Sequence, residues 1–465
     1  MNANNSFDIT ILGGGPGGYV AAIRASQLGF NTAIVDEDKL GGICLNWGCI
    51  PTKSLLKSAE MIDLIKNADQ YGIKISSYKI EYGKIINRSR QISQRLSKGI
   101  SYLMKKNKIT HIEGRGVFKG KDNIEVTKGN KITNVKSKHF IIATGGKPKN
   151  IPNLSFDGKQ IISSKEAMIL EKPPKDMVIV GAGAIGSEFA YFYNSCGTKV
   201  TMIEMMDRIL PMEDEEISNE LKKQFIDSGI VINNNSVVEK VEKLKTKVKV
   251  HVKSGNKKKV IESSVVLVAI GIAGNIEDIG LNALGVNTNN GSITIDDYGQ
   301  TNISNIFAIG DVSGPPWLAH VASAQGHVAV EKIADHKTEP IDFNNIPSCT
   351  YCQPQVASMG LTEAQAKEIG YDLKVGKFYF KSNGKALSMG KPDGFVKIIF
   401  DSQYGELLGC HIIGADATEL IQELVIAKSL EATWENFAYT MHPHPTLSES
   451  IMEAALDAYD IGVHQ

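Results

Sequence analysis

Two stretches of this chain repeat one pattern, and no other feature limits the possible folds so strongly. The first, FDITILGGGPGGYVAAIRASQLGFNTAIVDED, runs from Phe7 to Asp38. The second, DMVIVGAGAIGSEFAYFYNSCGTKVTMIEMMD, runs from Asp176 to Asp207. Each reads as an apolar strand, a glycine-rich turn, a small-residue helix, a second glycine turn and a second strand. Each second strand ends on an acid, Asp36 or Glu204, at the same distance from the first glycine. This is βαβ architecture, twice. A glycine-rich turn alone is often only structural, but here each has its strand, helix and acid. The first glycine of each set, Gly13 or Gly181, permits the tight turn. The second, Gly15 or Gly183, lets the backbone approach a pyrophosphate. The third, Gly18 or Gly186, lets helix and strand pack closely, so that the phosphates meet the helix N-terminus. Asp36 and Glu204 are placed to accept a hydrogen bond from a ribose 2′-hydroxyl. A carboxylate at 204 also repels a 2′-phosphate, so the second unit reads as selective for NAD.

The rest of the chain organises around these units. Residues 60–108 read as mostly helical. Residues 109–145 turn β-rich and end on the strand Phe140-Ile141-Ile142-Ala143, before Thr144-Gly145-Gly146. Further apolar strands run through Val265–Gly271 and Ile306–Asp311. Beyond about Ile346 come strands near 349–360, 373–382, 394–400 and 405–413, then helices near 415–430 and 447–461. A boundary falls near 346, with the second βαβ unit inserted into the first domain. The length of 465 residues suits about three domains. Lys+Arg and Asp+Glu are both 51. A net charge of zero gives no electrostatic pull towards nucleic acid or an anionic membrane. No apolar run approaches the ~20 residues that span a bilayer. The start, MNANNSFDITILGGG, has no basic region and no signal-type stretch, which suggests a cytoplasmic protein or a mature organellar one.

Six cysteines in a chain this long make no disulfide framework. Cys44 and Cys49 stand together in GGICLNWGCIPTKS. Pro51 suits the first turn of a helix, which puts Cys49 at a helix N-terminus. The helix dipole stabilises a thiolate there, and Lys53 adds positive charge one turn on. Cys44 is left to exchange with a substrate disulfide or dithiol. The alternatives are two buried cysteines or a metal pair. Zinc would want four ligands, and no second pair is near. No metal site is expected.

The stretch GGICLNWGCIPTK resembles the active-site signature of the pyridine-nucleotide disulfide oxidoreductases, in particular the branch that oxidises dihydrolipoamide. The resemblance runs from Asp8 to about Gly462 and includes Ala143-Thr144-Gly145-Gly146, TNISNIFAIGD ending at Asp311, Ala319-His320 and HPHPTLSES from His442. It implies an α/β fold with two Rossmann-like dinucleotide-binding domains, the NAD domain inserted after the FAD domain, plus an α+β C-terminal interface domain. The implied divisions are 1–147 (FAD), 148–274 (NAD), 275–345 (central segment completing the FAD domain) and 346–465 (dimerisation). It implies a Cys44–Cys49 redox disulfide with Cys49 nearer the flavin, a homodimer, and lipoyl domains of 2-oxoacid dehydrogenase or glycine-cleavage complexes as partners. FAD would be held by Gly13, Gly15, Gly18, Asp36, Lys53, Gly116, Thr144, Gly145, Asp311 and Ala319. NAD would be held by Gly181, Gly183, Gly186, Glu204 and Gly271.

A His between prolines near a C-terminus is usually only a loop residue, and Thr446-Leu447-Ser448-Glu449 also matches a helix capping box. The resemblance gives both residues work. His444 would be the acid–base catalyst for the partner subunit's thiols, with a cis peptide to Pro445, and Glu449 would orient its imidazole. Glu188 is either a solvated helix residue or, as the resemblance implies, a partner of Lys53 near the flavin. Cys349 and Cys352 form a C-x-x-C that reads as structural. Cys196 and Cys410 read as core, and no role is assigned to Trp47. The loop Gly271-Ile272-Ala273-Gly274-Asn275 departs from the Gly-Arg-x-Pro-Asn of similar chains. Among rivals, a glutathione reductase is disfavoured by Glu204, Gly186 and Ala184, which replaces a gating Tyr. A mercuric reductase is disfavoured by the tail DAYDIGVHQ, which lacks paired cysteines. A flavin scaffold without turnover has no use for the Cys44–Cys49 and His444–Glu449 pairs.

Overall fold

The computed structural model describes residues 5–464. Its contacts gather into two compact units, each assembled from separate stretches of chain. One comprises Met1–Ser54, Lys84–Lys149 and Gly271–Ile341; the other comprises Leu55–Gly83, Asn150–Ile270 and Asp342–Gln465.

In the first unit, β1 (Ser6–Leu12), α1 (Pro16–Gln27) and β2 (Thr32–Asp36) form the first βαβ element. Two helices follow, α2 (Gly42–Trp47) and α3 (Cys49–Lys66), then α4 (Tyr82–Lys106); from Leu55 to Gly83 the chain counts with the second unit. The strands β1 and β2 pair in parallel inside a seven-stranded sheet. The other neighbour of β1 is the long strand Lys131–Ile142, whose first half pairs antiparallel with Asn123–Lys128 and whose last residues pair in parallel with Ile306–Ala308. Its burial follows from that split. Exposed and buried residues alternate from Asn134 to Lys138, whereas Phe140, Ile141 and Ile142 are all fully buried. On α1 the buried residues are Gly17, Gly18, Ala21, Ala22 and Ala25. They let the helix Ala319–Ile333 come into backbone contact: a Cβ on Gly326 would lie 2.8 Å from the Gly17 carbonyl oxygen.

Residues 60–108 are mostly helical, as the sequence implied, with one interruption. Helix α3 stops at Lys66, a short 3-10 turn covers Ala68–Tyr71, and α4 begins only at Tyr82. Gly72, with φ 74°, takes the left-handed conformation that ends the turn.

In the second unit, a five-stranded parallel sheet is ordered Val231–Asn233, Lys199–Ile203, Asp176–Val180, Val265–Val268, Ile161–Ile162. The helix Ala184–Ser195 belongs to its βαβ element. A three-stranded antiparallel sheet follows, over Val237–Lys243, Val248–Ser254 and Lys257–Ser263. The C-terminal part is a five-stranded antiparallel sheet in the order Ser348–Thr350, Gln355–Gly360, Leu407–Gly414, Phe395–Asp401, Leu373–Tyr379. The strand expected over 349–360 is therefore two strands.

One polar row crosses that C-terminal sheet: Ser348, Ser358, His411, Lys397 and Lys377 are successive cross-strand partners. It faces the acids at the start of the helix Glu215–Asp227. Lys397, 2% exposed, reaches Asp214 at 3.0 Å, Glu216 at 2.7 Å and Glu363 at 2.8 Å. Burial acts upward on Asp214, but His411 and Lys397 hold it below the usual carboxylate range. Glu216 is likewise held down by Lys377 and Lys397 against burial. Hydrogen bonds from Lys367 and Lys397 bring Glu363 to about 2.

Removing Lys397 leaves the buried Asp214 without its cation, while Glu216 and Glu363 keep Lys377 and Lys367. Lys397→Met is expected to lose about 3–5 kcal/mol of unfolding free energy at neutral pH. A lowered carboxylate contributes stability above its unfolded pKa and loses it as pH falls through its folded value. The gap between variant and unaltered protein should therefore close as pH drops below about 4. Denaturant titrations at several pH values measure it, and a gap of constant size contradicts the assignment.

Candidate active site

The redox segment rests on the first glycine turn. Gly13, with φ 107°, turns the chain out of β1, and Gly15 caps α1. A Cβ on Gly18 would stand 1.9 Å from the Gly13 carbonyl oxygen, so only hydrogen fits. Gly41 and Gly42, both at positive φ, then start α2. A Cβ on Gly42 would stand 2.6 Å from the Gly15 Cα, and the Gly41 N–H donates to the Gly14 carbonyl at 2.7 Å. The backbones of the turn and of the cysteine segment are thus in contact. These two glycines carry a role the sequence reading did not assign.

Cys44 lies on α2 and Cys49 is the first residue of α3, as the Pro51 position implied. The two side chains are neighbours, and Cys49 is a hydrogen-bond partner of the Cys44 thiol. That bond, followed by burial and the charge of Cys49, pushes the Cys44 thiol well up; Lys53 acts the other way and Asp311 adds to the rise. Cys49 stands at the positive end of an 18-residue helix, where the dipole favours a thiolate.

The residues between the cysteines are held by α4. Asn46, 5% exposed, donates to the Gly42 carbonyl at 3.0 Å. The Ser97 hydroxyl lies 3.1 Å from Asn46 Oδ1 and 2.5 Å from the Leu40 carbonyl. Arg90 donates to the Asn46 carbonyl at 2.7 Å and lies over the Trp47 ring, 4.9 Å from its centroid. Trp47 thus stacks under Arg90. Asn46, Ser97 and Arg90 were missed in the sequence; the one signal was a lone amide between the two cysteines.

The dinucleotide turns are built alike. Asp36 accepts the Gly14 and Asp38 N–H groups, and Glu204 accepts those of Ala182 (2.7 Å) and Met206 (2.9 Å). Each acid therefore clamps its own turn and keeps lone pairs for a ribose hydroxyl. Burial raises the Asp36 carboxyl. Gly181 has φ 97°, and a Cβ on Gly186 would stand 2.0 Å from its carbonyl oxygen. A Cβ on Gly183 would meet no atom within 4 Å, so the space before that helix N-terminus is open, a cradle that fits a pyrophosphate. Thr144 and Gly145 are tied to Asn275: the Thr144 hydroxyl donates to its carbonyl and its N–H donates to Gly145, both at 2.9 Å. Gly271, with φ 113°, accepts the Lys149 N–H, and Ile272–Gly274 pairs with Gly146–Pro148. Gly116 is buried beside Leu12. Asp311 sits in the short turn Gly310–Ser313, its carboxyl raised by burial, and Ala319 opens the helix that packs on α1.

In the second unit, His444 Nδ1 lies 2.9 Å from Glu449 Oε1, while the other oxygen of Glu449 accepts the Thr446 N–H at 2.8 Å. The His444–Pro445 peptide is cis. The capping-box pattern is only half used: Glu449 reaches back to Thr446, but the helix begins at Glu449 with Ser448 as N-cap. Burial acts upward on the Glu449 carboxyl, but the Thr446 amide and the His444 ring hold it below its usual range. His444 itself is 80% exposed. Glu188 is buried, which corrects the solvated-face alternative; it accepts the Tyr351 N–H at 3.0 Å. Cys352 is fully buried with its Sγ 3.3 Å from the Pro354 carbonyl, and Cys349, partly buried, packs against the core of the C-terminal sheet. Burial pushes the Cys196 thiol up to about 12. Among the described residues no helix is long and apolar enough to cross a membrane.

A thiol pair on a dinucleotide turn, a second such turn and a His–Glu pair define a class of disulfide oxidoreductase. Residues 7–326 match the family model for pyridine nucleotide-disulphide oxidoreductases, and residues 346–455 match that family's dimerisation domain. The chain belongs to this family. It is 48% identical over 472 residues to a dihydrolipoyl dehydrogenase of Rhizobium etli, covering 98% of each chain. It is 45% identical to that of Zymomonas mobilis, covering 98% of this chain and 99% of the other, and 43% to that of Bacillus subtilis with the same coverage. Among solved structures, LpdA from Mycobacterium tuberculosis superposes with a TM-score of 0.90 at 27% identity, over 96% of this chain and 98% of that one. RclA of Escherichia coli, an HOCl-induced flavoprotein disulfide reductase, shares the fold at 23% identity and a TM-score of 0.86, over 96% of this chain and 99% of that one.

In the reduced protein, Cys49 is expected to carry the thiolate at neutral pH. Cys44→Ser should keep a near-neutral thiolate absorbance and Cys49→Ser should lose it. The opposite pair of spectra reverses the roles of the two thiols.

Proposed function

We propose that this protein is a dihydrolipoyl dehydrogenase, oxidising dihydrolipoamide carried on the lipoyl domains of 2-oxoacid dehydrogenase or glycine-cleavage complexes and reducing NAD. The observation that carries the reading is the Cys44–Cys49 pair seated on the Gly13–Gly18 turn. The full-length likeness to dihydrolipoyl dehydrogenases supports it. A reducing compartment suits a catalytic disulfide, and the cytoplasm is the proposed location.

FAD, for which Gly13, Gly15, Gly18, Asp36, Gly116, Thr144, Gly145, Asp311 and Ala319 form the cradle, supplies when bound a two-electron path from the thiols to NAD at Gly181, Gly183, Gly186, Glu204 and Gly271. The residues do the rest. With Cys44 and Cys49 oxidised, a substrate thiol loses its proton to His444 Nε2 and attacks the Cys44 sulfur. The Cys44–Cys49 bond breaks, and Cys49 leaves as a thiolate stabilised by the α3 N-terminus. The second substrate thiol then gives its proton to the imidazole as the ring passes the first on to Cys44, and attacks the substrate sulfur held on Cys44. The lipoyl disulfide closes and Cys44 departs with a proton from His444. Glu449 keeps Nδ1–H donating to it, so Nε2 is the ring nitrogen that moves protons. Lys53, one turn after Cys49, is proposed to add positive charge near the flavin. His444 lies within the span matching the dimerisation domain, and its exposed ring is proposed to serve the partner subunit of a homodimer.

Two experiments test this. Inactive Cys44→Ser and His444→Gln chains, co-expressed, should form mixed dimers with one complete site and recover up to about half the activity of each dimer. Mixed dimers that stay inactive place His444 in its own chain's site. NAD should be strongly preferred over NADP, and Glu204→Gln should narrow the ratio of kcat/KM values by about tenfold or more. Equal use of both nucleotides by the unaltered protein contradicts the role of Glu204.

A further inference from the structure

His442, two residues before His444, takes no part in the chemistry above, yet it is the better-held ring. Its side chain is 5% exposed. Nδ1 lies 2.9 Å from the Thr440 carbonyl oxygen, and Nε2 lies 2.9 Å from Glu423 Oε1 on the helix Ala417–Ser429. A carbonyl cannot donate, and neither can an ionised carboxylate. A neutral imidazole has one N–H and can satisfy only one of them, so the ring carries both protons and forms an ion pair with Glu423. The far side of the turn is tied as well. The Thr446 hydroxyl donates to the Pro443 carbonyl at 2.8 Å, and the Thr446 N–H donates to Glu449 at 2.8 Å. Between these ties hang only Pro443, His444 and Pro445. Met441, just before His442, is 94% exposed and anchors nothing.

We propose that His442 is a positioning residue for His444: as an imidazolium clamped between Thr440 and Glu423, it fixes the entry to the turn that aims the acid–base imidazole. This rests on the role of His444 proposed above. The charged groups facing the ring are Glu423 and, from the next helix, Glu449. Hydrogen bonding to Glu423 raises the His442 pKa against the opposing effect of burial. A raised imidazole pKa gives a clamp fully present below the ordinary value, near 6.5, and lost as pH rises through the folded one.

The test uses the holoprotein with dihydrolipoamide and NAD, and separately NADH with ferricyanide, an acceptor that bypasses the thiols. His442→Ala should lower kcat for dihydrolipoamide about tenfold or more, with ferricyanide reduction unchanged. That deficit should shrink as pH rises. His442→Gln, whose amide carries two N–H groups, should stay within about threefold at every pH. The double variant His442→Ala/His444→Gln should be no slower than His444→Gln alone, because the two act as one unit. Imidazole 15N spectra should show both His442 nitrogens protonated at neutral pH. Unchanged kcat in His442→Ala, an equal loss with ferricyanide, additive losses in the double variant or a ring with one bare nitrogen each overturn the proposal. An unaltered protein that leaves dihydrolipoamide unoxidised overturns the functional reading instead, and the 15N spectrum still decides the state of His442.

Discussion

Gly42 lies against Gly15 because neither residue carries a side chain. A Cβ on Gly42 would come within 2.6 Å of the opposing Cα, and the neighbouring Gly41 N–H donates across the same contact. This approach decides where the redox helix begins. It puts Cys44 and Cys49 beside the turn that would cradle a pyrophosphate, and so brings thiol chemistry within reach of a dinucleotide. The same economy of atoms acts inside each βαβ element, where the third glycine touches the carbonyl of the first. Any larger residue at these points would push helix from strand, or one motif from the other.

The apolar cores give the units stability, but buried polar ties set the geometry around the site. Asn46, Ser97 and Arg90 fasten the short helix bearing Cys44 to α4. Asp36 and Glu204 hold their own turns rigid while keeping capacity for a ribose. Lys397 gathers Asp214, Glu216 and Glu363 on a strand otherwise made of apolar residues and one acid. A buried polar group is tolerable only when its partners are in place, so each of these ties selects one arrangement against many alternatives of similar hydrophobic burial.

Glu449 shows how one residue meets both a local and a functional demand. One oxygen caps the approach to its helix by accepting the Thr446 N–H, and the other orients His444. The capping pattern and the catalytic pattern in the sequence are therefore both present in one side chain. Its carboxyl is held ionised by the same two contacts, which keeps it an acceptor throughout the range in which imidazole titrates.

The sequence by itself determined the two βαβ elements, the helix start at Cys49 and the acid at the end of each second strand. It could do so because glycine, proline and strand periodicity act over a few residues and leave local marks. It also placed His444 and Glu449 five residues apart, close enough for one turn to join them. Tertiary structure alone decided that α2 exists, that Glu188 is buried under the Tyr351 amide, and that Lys397 is an ion-pair centre within an apolar strand. It also decided that His442, not only His444, has a carboxylate partner. Each of these depends on a contact between residues distant along the chain: Asp214 with Lys397, Glu188 with Tyr351, Glu423 with His442, Arg90 with Asn46. A single sequence records which residues are present, but desolvation and hydrogen-bond satisfaction are settled only when the chain closes around them.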